Sequence, residues 1–398
     1  MAIVEVVDTP PTLTINQDEI TAVRGTPPTI AEIDLAALID NFRALRALSP
    51  GAEPMAVVKA DAYGHGAIEV SRALAADGCR HFGVARICEA RDLRSAGLEH
   101  RIYLMGGFFA EDTAEIVDLD LTPFIYDVAA IDLIDRAARA QGRKGFPVHL
   151  KIDSGAGRVG VTIDRLDEAI TRFASSKALV LDGVCTLLAD AGNPTSAITN
   201  RQVENFNRAL AQIEAAGLKP RFTHLANSAA AVLRPDCECN MFRPGLALYG
   251  LPPVPAVRDR VELTQVMTFK TRVLQTKQMP AGTGVSYGHT FVTSRPSLIG
   301  VLPVGYADGY RRGLQHGGEV LIRGHRAPVV GAVCMDLTMV DLTDVPGAAP
   351  GDEVILWGGS GEQSISVNEV ARLVQTISYE MLCTVGKRVP RIYKGGPS

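Results

Sequence analysis

The sequence lacks the features that mark several large classes of protein. Its 398 residues include a single tryptophan, and its seven cysteines are scattered and odd in number. The closest pair, Cys237 and Cys239, has no second pair to complete a zinc site, so we expect reduced thiols and no bound metal. No apolar stretch approaches the roughly 20 residues that span a bilayer, which argues against a membrane protein.

Charge and targeting signals are equally sparse. Charged residues make up 21% of the chain and the formal net charge is −4, which argues against nucleic-acid binding. The first 20 residues contain acidic side chains and prolines where a signal peptide has a basic start and an apolar run. We therefore expect a cytoplasmic globular protein, in keeping with a hydrophobic fraction of 46%.

Short apolar runs alternate with amphipathic helical segments through the first part of the chain. The eight runs lie at 56–60, 81–86, 102–105, 122–126, 148–153, 183–189, 222–227 and 242–249. Eight strands that alternate with helices predict an α/β fold, a closed (β/α)8 TIM-like barrel. A doubly wound open sheet is the alternative, but the glycine-rich turn that usually follows its first strand is missing.

From about residue 262 the pattern changes to short β-like runs separated by glycine, proline and aspartate. We therefore predict three regions. Residues 1–27 form an N-terminal extension associated with the β domain, residues 28–260 form the barrel, and residues 261–398 form a mainly β C-terminal domain.

The segment Ala56-Val-Val-Lys-Ala-Asp-Ala-Tyr-Gly-His-Gly66 carries the strongest chemical signal. It predicts a buried strand with Lys59 at its end, followed at once by Tyr63 and two glycines. Burial lowers the pKa of a lysine, and a neutral lysine can form a Schiff base with a carbonyl cofactor. The ordinary alternative is a lysine that ends a strand and reaches solvent. The predicted barrel favours chemistry, because its active sites lie at the carboxyl ends of the strands.

Three further motifs lie at predicted strand ends. His224-Leu-Ala-Asn-Ser228 ends a strand and opens a helix, so Ser228 and the backbone of Gly245 and Leu246 suit a phosphate; simple helix capping is the alternative. Arg243 is expected inside the barrel, where a heterocycle nitrogen or, more commonly, an acidic partner would accept its hydrogen bond. A glycine-rich turn lets Arg158 fold back towards a substrate carboxylate or a phenolate.

Tyr287 is the candidate base of the second domain. It lies in Gly284-Val-Ser-Tyr-Gly-His-Thr-Phe291, where small neighbours let its ring project. As a base it would need a cation nearby to lower its pKa. An ordinary aromatic residue on a β surface is the alternative.

Together these motifs resemble those of the alanine racemases, which are pyridoxal-phosphate enzymes of fold type III. The resemblance covers residues 29–393 and rests on motifs in a fixed order: AVVKADAYGHG, LKIDSGAGRVG, HLANSA, FRPGLALYG, GVSYGHTF, VGYADGY, CMDLTMVDLT, and SYEMLC with RVPRIY. It implies a homodimer with active sites shared across the interface. It also implies that pyridoxal 5′-phosphate serves as cofactor in interconverting L-alanine and D-alanine, which supplies D-alanine for peptidoglycan.

The resemblance implies roles for individual residues. Lys59 would hold the cofactor and act as the base on the D face of Cα, with Tyr287, contributed across the dimer interface, as the base on the L face. The phosphate would be held by Tyr63, Ser228, Tyr379 and the Gly245 and Leu246 amides.

The remaining roles concern the cofactor ring and the substrate. Arg243 would face the pyridine nitrogen, and Arg158 would contact the cofactor phenolate and the substrate carboxylate. The Met335 amide would bind the same carboxylate, and Tyr306 would line the substrate entrance. Lys151 occupies the position that is carbamylated in many relatives.

One position departs from the family pattern. Relatives usually read Thr-His-Phe-Ala near the end of the sixth strand, where this chain reads Thr186-Leu-Leu-Ala189. Leu187 therefore replaces a histidine that supports an arginine–tyrosine relay, and we expect normal cofactor binding with a shifted pH optimum or reduced turnover. Two alternatives stay open: a racemase of broader specificity, for example for serine, and a cofactor-binding protein without catalysis.

Overall fold

A computed structural model describes residues 27–235, 237, 239–360 and 363–396. The predicted N-terminal extension lies outside the described residues, apart from Pro27. The strands are β1 Ile30–Asp34, β2 Glu53–Val57, β3 His81–Val84, β4 Arg101–Leu104, β5 Thr122–Ile125, β6 Phe146–Asp153, β7 Val161–Thr162, β8 Leu179–Cys185, β9 Phe222–His224, β10 Met241–Phe242, β11 Met267–Arg272, β12 Gln275–Met279, β13 Gly284–Val285, β14 Phe291–Val292, β15 Ser297–Leu302, β16 Glu319–Ile322, β17 His325–Pro328, β18 Thr338–Asp341, β19 Glu353–Ser360, β20 Gln363–Ile365 and β21 Arg391–Lys394.

Right-handed helices separate many of these strands. They are α1 Leu35–Leu48, α2 Ala67–Ala76, α3 Ile87–Ser95, α4 Thr113–Asp118, α5 Val128–Ala140, α6 Leu166–Ser175, α7 Ala197–Ala215, α8 Ser228–Leu233, α9 Pro255–Arg258, α10 Val367–Leu373 and α11 Ser378–Cys383. Among the described residues, we find no helix with the length and apolarity that a bilayer crossing requires.

Eight parallel strands form the nearly closed barrel that the sequence predicts. Their order around the barrel is β10, β2, β3, β4, β5, β6, β8 and β9. The remaining gap, between β9 and β10, is bridged by a parallel pairing of Asn227 with Arg243. Two predicted site segments, HLANS and FRPGL, therefore meet where the barrel closes.

The barrel helices form because their apolar residues repeat at helical spacing. In α5 the buried residues include Val128, Ile131, Ile134 and Ala138, which lie on one face. The carboxylate of Asp127 caps this helix by accepting a hydrogen bond from the Ala129 amide. Packing of such faces on the strands leaves the strand ends free for the site.

The C-terminal part is mainly β, as predicted. One sheet has the order β17, β16, β19, β11, β1 and β21, with β20 paired to β19, and a smaller sheet contains β12, β15 and β18. Strand β1 precedes every barrel strand in sequence but lies in the first of these sheets, antiparallel to β11 and parallel to β21. The boundaries of the predicted domains stay a prediction.

Asn41 of α1 ties the barrel to the second part of the chain. Its side chain is buried, and its amide nitrogen donates to the Leu248 carbonyl at 3.1 Å and to the Thr264 carbonyl at 2.8 Å. The Asn41 amide oxygen accepts from the Thr264 amide at 2.8 Å. Three bonds from one side chain thus hold the connection between the two parts.

Several strands end earlier than the sequence predicts, among them β8 at Cys185 and β9 at His224. Two further early ends concern residues of the site. Strand β2 ends at Val57, so Lys59 follows the strand rather than ending it. Strand β10 has only two residues, and Arg243 and Gly245 follow it while Leu246 opens a short 3₁₀ helix. Pro244 has no N–H to continue the ladder, which explains the early end of β10.

Candidate active site

A cavity of about 510 Å³ lies at the carboxyl ends of the barrel strands. It is lined by Val57, Lys59, Tyr63, Ala85, Met105, Gly106, Phe124, Lys151, Arg158, Val159, Cys185, Thr186, Leu187, Asn227, Ser228, Arg243, Gly245, Leu246 and Tyr379. Every barrel residue that the sequence singled out for the cofactor is in this lining, and so is Tyr379 from the C-terminal part.

The lining is strongly cationic. Lys59, Lys151, Arg158 and Arg243 all contribute to it, and no carboxylate does so among the described residues. Positively charged groups around one cavity repel each other unless an anion joins them. The arrangement therefore suits a ligand that carries several negative charges, such as a phosphate ester.

Lys59 is the amine best placed for covalent chemistry. Burial lowers the pKa of its amine below the ordinary value, and the neighbouring Arg158 guanidinium lowers the pKa further. The charge of Glu89 acts in the opposite direction but does not reverse the shift. A larger fraction of the amine is therefore neutral near neutral pH, and the neutral form is the nucleophile.

Lys59 is followed by a left-handed turn of four consecutive non-glycine residues. Ala60, Asp61, Ala62 and Tyr63 have φ of 53–54° and ψ of 40–49°. Each such residue costs about 1–2 kcal/mol relative to right-handed backbone, so surrounding contacts must hold the turn. The turn brings the Tyr63 hydroxyl so close to Gly245 that a Cβ there would lie 2.6 Å from it.

Hydroxyls and backbone amides form a cradle on this side of the cavity. The Ser228 hydroxyl accepts from the Gly245 amide at 2.9 Å and from the Ala247 amide at 3.4 Å. Its own proton stays available for an anion. The rings of Tyr63 and Tyr379 lie 5.9 Å apart, so three hydroxyl-bearing side chains converge on the region around Gly245.

Arg243 is a buried cation held without a carboxylate. One terminal nitrogen donates to His224 Nδ1 at 2.7 Å and to the His224 carbonyl at 2.9 Å. The other donates to the carbonyls of Thr186 at 2.7 Å and Leu225 at 3.1 Å. Within the described parts of the chain the Nε–H group has no partner, so it is available to a ligand.

The hydrogen bond from Arg243 fixes the tautomers of two imidazoles, those of His224 and His149. A guanidinium only donates, so His224 Nδ1 is the acceptor and His224 carries its proton on Nε2. That proton is donated to His149 Nδ1 at 2.8 Å, so the proton of His149 lies on Nε2, 3.7 Å from the Asp182 carboxylate. Burial lowers the pKa of both histidines, which keeps them neutral.

Lys151 is the second unusual amine of the cavity. It is buried on β6, and among the described residues it forms no hydrogen bond or ion pair. Burial lowers the pKa of its amine, and Arg158 and Arg243 lower the pKa further. A buried amine of lowered pKa beside two guanidinium groups is a suitable position for a modification that adds negative charge.

The turn before Arg158 is organised by one carboxylate. Asp153, at the end of β6, accepts hydrogen bonds from the amides of Gly155, Ala156, Gly157 and Arg158. These four bonds fold the glycine-rich turn back on the strand. The Arg158 side chain thereby reaches the cavity, as the sequence predicts, although the residue itself is exposed.

Three predicted site residues lie outside this cavity. Tyr287, Tyr306 and Met335 line a separate concavity of about 690 Å³ in the C-terminal part, and all three are exposed, Tyr287 to 77%. Tyr287 lies in a short 3₁₀ turn between β13 and β14. The residues expected to act on the substrate are therefore divided between two surfaces of the chain.

Leu187 lies in the cavity lining, next to the residue whose carbonyl accepts from Arg243. The Leu187 carbonyl accepts a hydrogen bond from the side-chain Nε2 of Gln202 at 2.7 Å, which fixes the backbone at this position. A leucine side chain offers no hydrogen bond to the guanidinium, so Arg243 relies on His224 and three backbone carbonyls.

Sequence reasoning missed the chain of groups behind Arg243. His149 precedes Lys151 by two residues on β6, and the period of a strand places both side chains on the same face. That spacing was the available signal for His149. Asp182 gave no comparable signal, since its place behind the histidine depends on how β8 pairs with β6.

Comparison with known proteins assigns the chain to a family. Residues 33–253 match the family model "Alanine racemase, N-terminal domain", and residues 266–393 match "Alanine racemase, C-terminal domain". The chain belongs to the alanine racemase family. An alanine racemase of Symbiobacterium thermophilum is 41% identical over 93% of this chain and 98% of its own length.

Solved structures of alanine racemases share the fold. The enzyme from a D-cycloserine-producing Streptomyces lavendulae has a TM-score of 0.88 and 35% identity, over 94% of this chain and 99% of its own. An alanine racemase from Bacillus anthracis with bound L-Ala-P has a TM-score of 0.86 and 32% identity, over 93% and 95% of the two chains. The similarity thus includes both parts of the chain.

The neighbouring cation predicts a measurable change at Lys59. Replacing Arg158 by glutamine removes a positive charge, so the pKa of the Lys59 amine should rise towards its ordinary value. Because only the neutral amine is acylated, the midpoint of the pH–labelling curve should move upward. We would measure Lys59 acylation by mass spectrometry in protein without cofactor.

Arg165 provides the control for this experiment. It is a nearby arginine that pairs with Asp127 and Glu168 and does not line the cavity. Arg165→Gln should leave the midpoint unchanged. An equal shift in both variants, or none in Arg158→Gln, would contradict the assigned influence of Arg158.

Proposed function

We propose that this chain interconverts L-alanine and D-alanine with pyridoxal phosphate bound to Lys59, in the cytoplasm, and supplies D-alanine for peptidoglycan. Membership of the alanine racemase family supports the reaction. The observation that carries the proposal is the cavity, where Lys59 with its lowered pKa, three further basic side chains and a hydroxyl cradle converge.

The residues of the cavity fit this cofactor. Tyr63, Ser228 and Tyr379 and the amides of Gly245 and Leu246 would hold its phosphate. The free Nε–H of Arg243 would donate to the pyridine nitrogen, and Arg158 would meet the phenolate. The cations would be neutralised by these anionic groups, which explains why the lining needs no carboxylate.

Inversion at Cα requires a base on each face. When bound, pyridoxal phosphate supplies an electron sink for the charge left at Cα. On the D face, Nζ of Lys59 would remove the Cα proton as the neutral amine and return one as the ammonium. On the L face, the Tyr287 oxygen would remove the proton as the phenolate and return one as the hydroxyl. Arg243 keeps its protons, so it donates a hydrogen bond to the ring nitrogen without protonating it.

The separation of Tyr287 from Lys59 supports a homodimer with shared sites. Tyr287, Tyr306 and Met335 form an exposed and partly apolar surface, and such surfaces mark interaction sites. A second copy placed with this surface over the barrel mouth would supply the missing base, with the Met335 amide for the substrate carboxylate. Two copies related by a two-fold axis would complete each other's sites.

Two further assignments complete the proposal. Carbamylation of Lys151 would convert a buried amine of lowered pKa into an anion near Arg158 and Arg243, which stabilises the charge of both guanidinium groups. Tyr287 and Tyr379 would narrow the substrate entrance and favour the methyl side chain of alanine over larger side chains, with Tyr306 at the outer edge.

Loss of Lys59 provides the direct test. Purified protein with added cofactor should show an absorbance band above about 400 nm and should convert L-alanine to D-alanine, followed by circular dichroism. Lys59→Ala should lose the band and the conversion together. Retention of the band in Lys59→Ala, or failure of the native protein to act on alanine, would overturn the proposal.

Mixing two inactive variants tests the shared site. Dimers that combine Lys59→Ala with Tyr287→Phe have one complete site if the two bases come from different chains. Random exchange of subunits should then restore about a quarter of native activity, since half of the dimers are mixed. Bases on the same chain would give no recovery above the average of the two parent variants.

The leucine at position 187 predicts an altered pH dependence of turnover. Leu187→His would add a hydrogen-bonding group between Arg243 and the Tyr287 of the second subunit, so the pH–rate profile should shift or turnover should rise. We would measure kcat against pH for the two proteins at saturating alanine. Superimposable profiles would show that Leu187 has no part in tuning the tyrosine.

A further inference from the structure

The left-handed turn after Lys59 is pressed against the C-terminal end of the chain. A Cβ on Gly64 would lie 2.3 Å from the Leu382 carbonyl oxygen of α11, and a Cβ on Gly66 would lie 1.8 Å from the Tyr393 hydroxyl of β21. Both glycines also have positive φ, of 80° and 92°. The contact therefore depends on backbone that comes too close for a side chain.

One arginine joins the turn to this C-terminal segment. Arg391 Nε donates to the Gly64 carbonyl at 2.9 Å, at the end of the turn. Its terminal nitrogens donate to the carbonyls of Gly386, Val389 and Val385 at 2.7, 2.7 and 2.8 Å. Arg391 forms no ion pair in the described part of the chain, and these four hydrogen bonds all go to backbone carbonyls.

The start of the turn is held separately. Glu89 of α3 accepts from the Ala60 amide at 2.6 Å through one oxygen and from the Ala85 and Arg86 amides at 2.7 and 3.0 Å through the other. Within the turn, His65 Nδ1 donates to the Ala62 and Tyr63 carbonyls, both at 2.9 Å. At the end of the turn, the Asp61 carboxylate accepts from the Ala67 amide at 2.8 Å, and Arg391 is the side chain from a distant segment that binds there.

The two segments that Arg391 joins carry the two tyrosines that are proposed to hold the cofactor phosphate. Tyr63 belongs to the turn, and Tyr379 belongs to α11, directly before the loop whose carbonyls Arg391 binds. The guanidinium itself is absent from the cavity lining. Any influence on the cofactor must therefore act through the placement of these two segments.

We propose that Arg391 is a positioning residue for the cofactor site. It holds the strained turn in its left-handed form and keeps Tyr63 and Tyr379 at the spacing that a phosphate needs. The inference rests on the proposed function for its consequence, loss of cofactor affinity, but its structural core is the conformation of residues 60–64.

Arg391→Gln tests the proposal by two measurements. Without cofactor, amide hydrogen exchange in the peptide 59–66 should become faster, because the turn loses its bond at Gly64. The dissociation constant of pyridoxal phosphate, from absorbance titration, should rise at least about tenfold. Arg391→Lys, which keeps the charge but reaches fewer carbonyls, should give a smaller increase.

A rescue variant separates positioning from a general loss of stability. Glycine adopts left-handed backbone without the steric cost of alanine. Ala60→Gly added to Arg391→Gln should therefore recover part of the lost affinity and slow the exchange again, while Ala60→Gly alone should change little. A merely weakened C-terminal segment would not respond to a glycine in the turn.

Arg94 offers a matched control. It is also a half-buried arginine whose partners are all backbone carbonyls, those of Leu98, His100, Leu119 and Asp120. Arg94→Gln should leave both the exchange of 59–66 and the cofactor affinity unchanged, whatever its effect on the unfolding temperature.

Three results would overturn the positioning role: native exchange of 59–66 in Arg391→Gln, no rescue by Ala60→Gly, or an equal loss of affinity in Arg94→Gln. The exchange measurement needs no cofactor. Failure of the Lys59→Ala test would therefore reject the proposed function while leaving the exchange result to decide the role of Arg391.

Discussion

The site depends on one constraint: Arg243 is a buried cation that can only donate hydrogen bonds. Its donation to His224 decides which nitrogen of that ring carries the proton. The hydrogen bond from His224 then decides the same for His149, whose protonated Nε2 lies on the side of Asp182. The carbonyls of His224, Thr186 and Leu225 take the other bonds, so a single N–H remains for a ligand. A reversed tautomer anywhere in this series would place two donors or two acceptors face to face. The barrel interior thus determines the direction of the hydrogen bonds on the Arg243 side of the cavity, its floor.

The side of the cavity that carries the hydroxyls of Tyr63, Ser228 and Tyr379, its wall, is fixed in a different way. Its hydroxyls belong to segments far apart in sequence, and their spacing depends on a turn that few residues of ordinary type adopt. Strain of this kind persists where the surrounding structure fixes it, and here Glu89, His65 and Arg391 do so. The hydrogen bonds that hold the turn are therefore separate from those of Arg243, and the floor and the wall of the cavity meet at Gly245 and Ser228.

The sequence predicts the barrel well because apolar runs and helical segments alternate regularly, and it predicts the cavity residues because they lie near strand ends. The left-handed turn escapes prediction, since Ala60, Asp61, Ala62 and Tyr63 include no glycine to mark it. The sheet that contains β1 escapes prediction as well, because pairing with β11 and β21 is a long-range choice. The shortness of β10 could have been expected from Pro244, whereas the position of Asp182 behind His149 required the register of β8.

The position of β1 between β11 and β21 also bears on how the chain assembles during synthesis. Its antiparallel neighbour begins at Met267, and its parallel neighbour ends at Lys394. The barrel strands can pair as they leave the ribosome, but β1 has to wait for both neighbours, and the turn after Lys59 has to wait for Arg391. A ribosome-bound chain would thus hold a nearly closed barrel around an unfinished site, and the emergence of residues 385–394 would complete the sheet and the lysine turn in the same step.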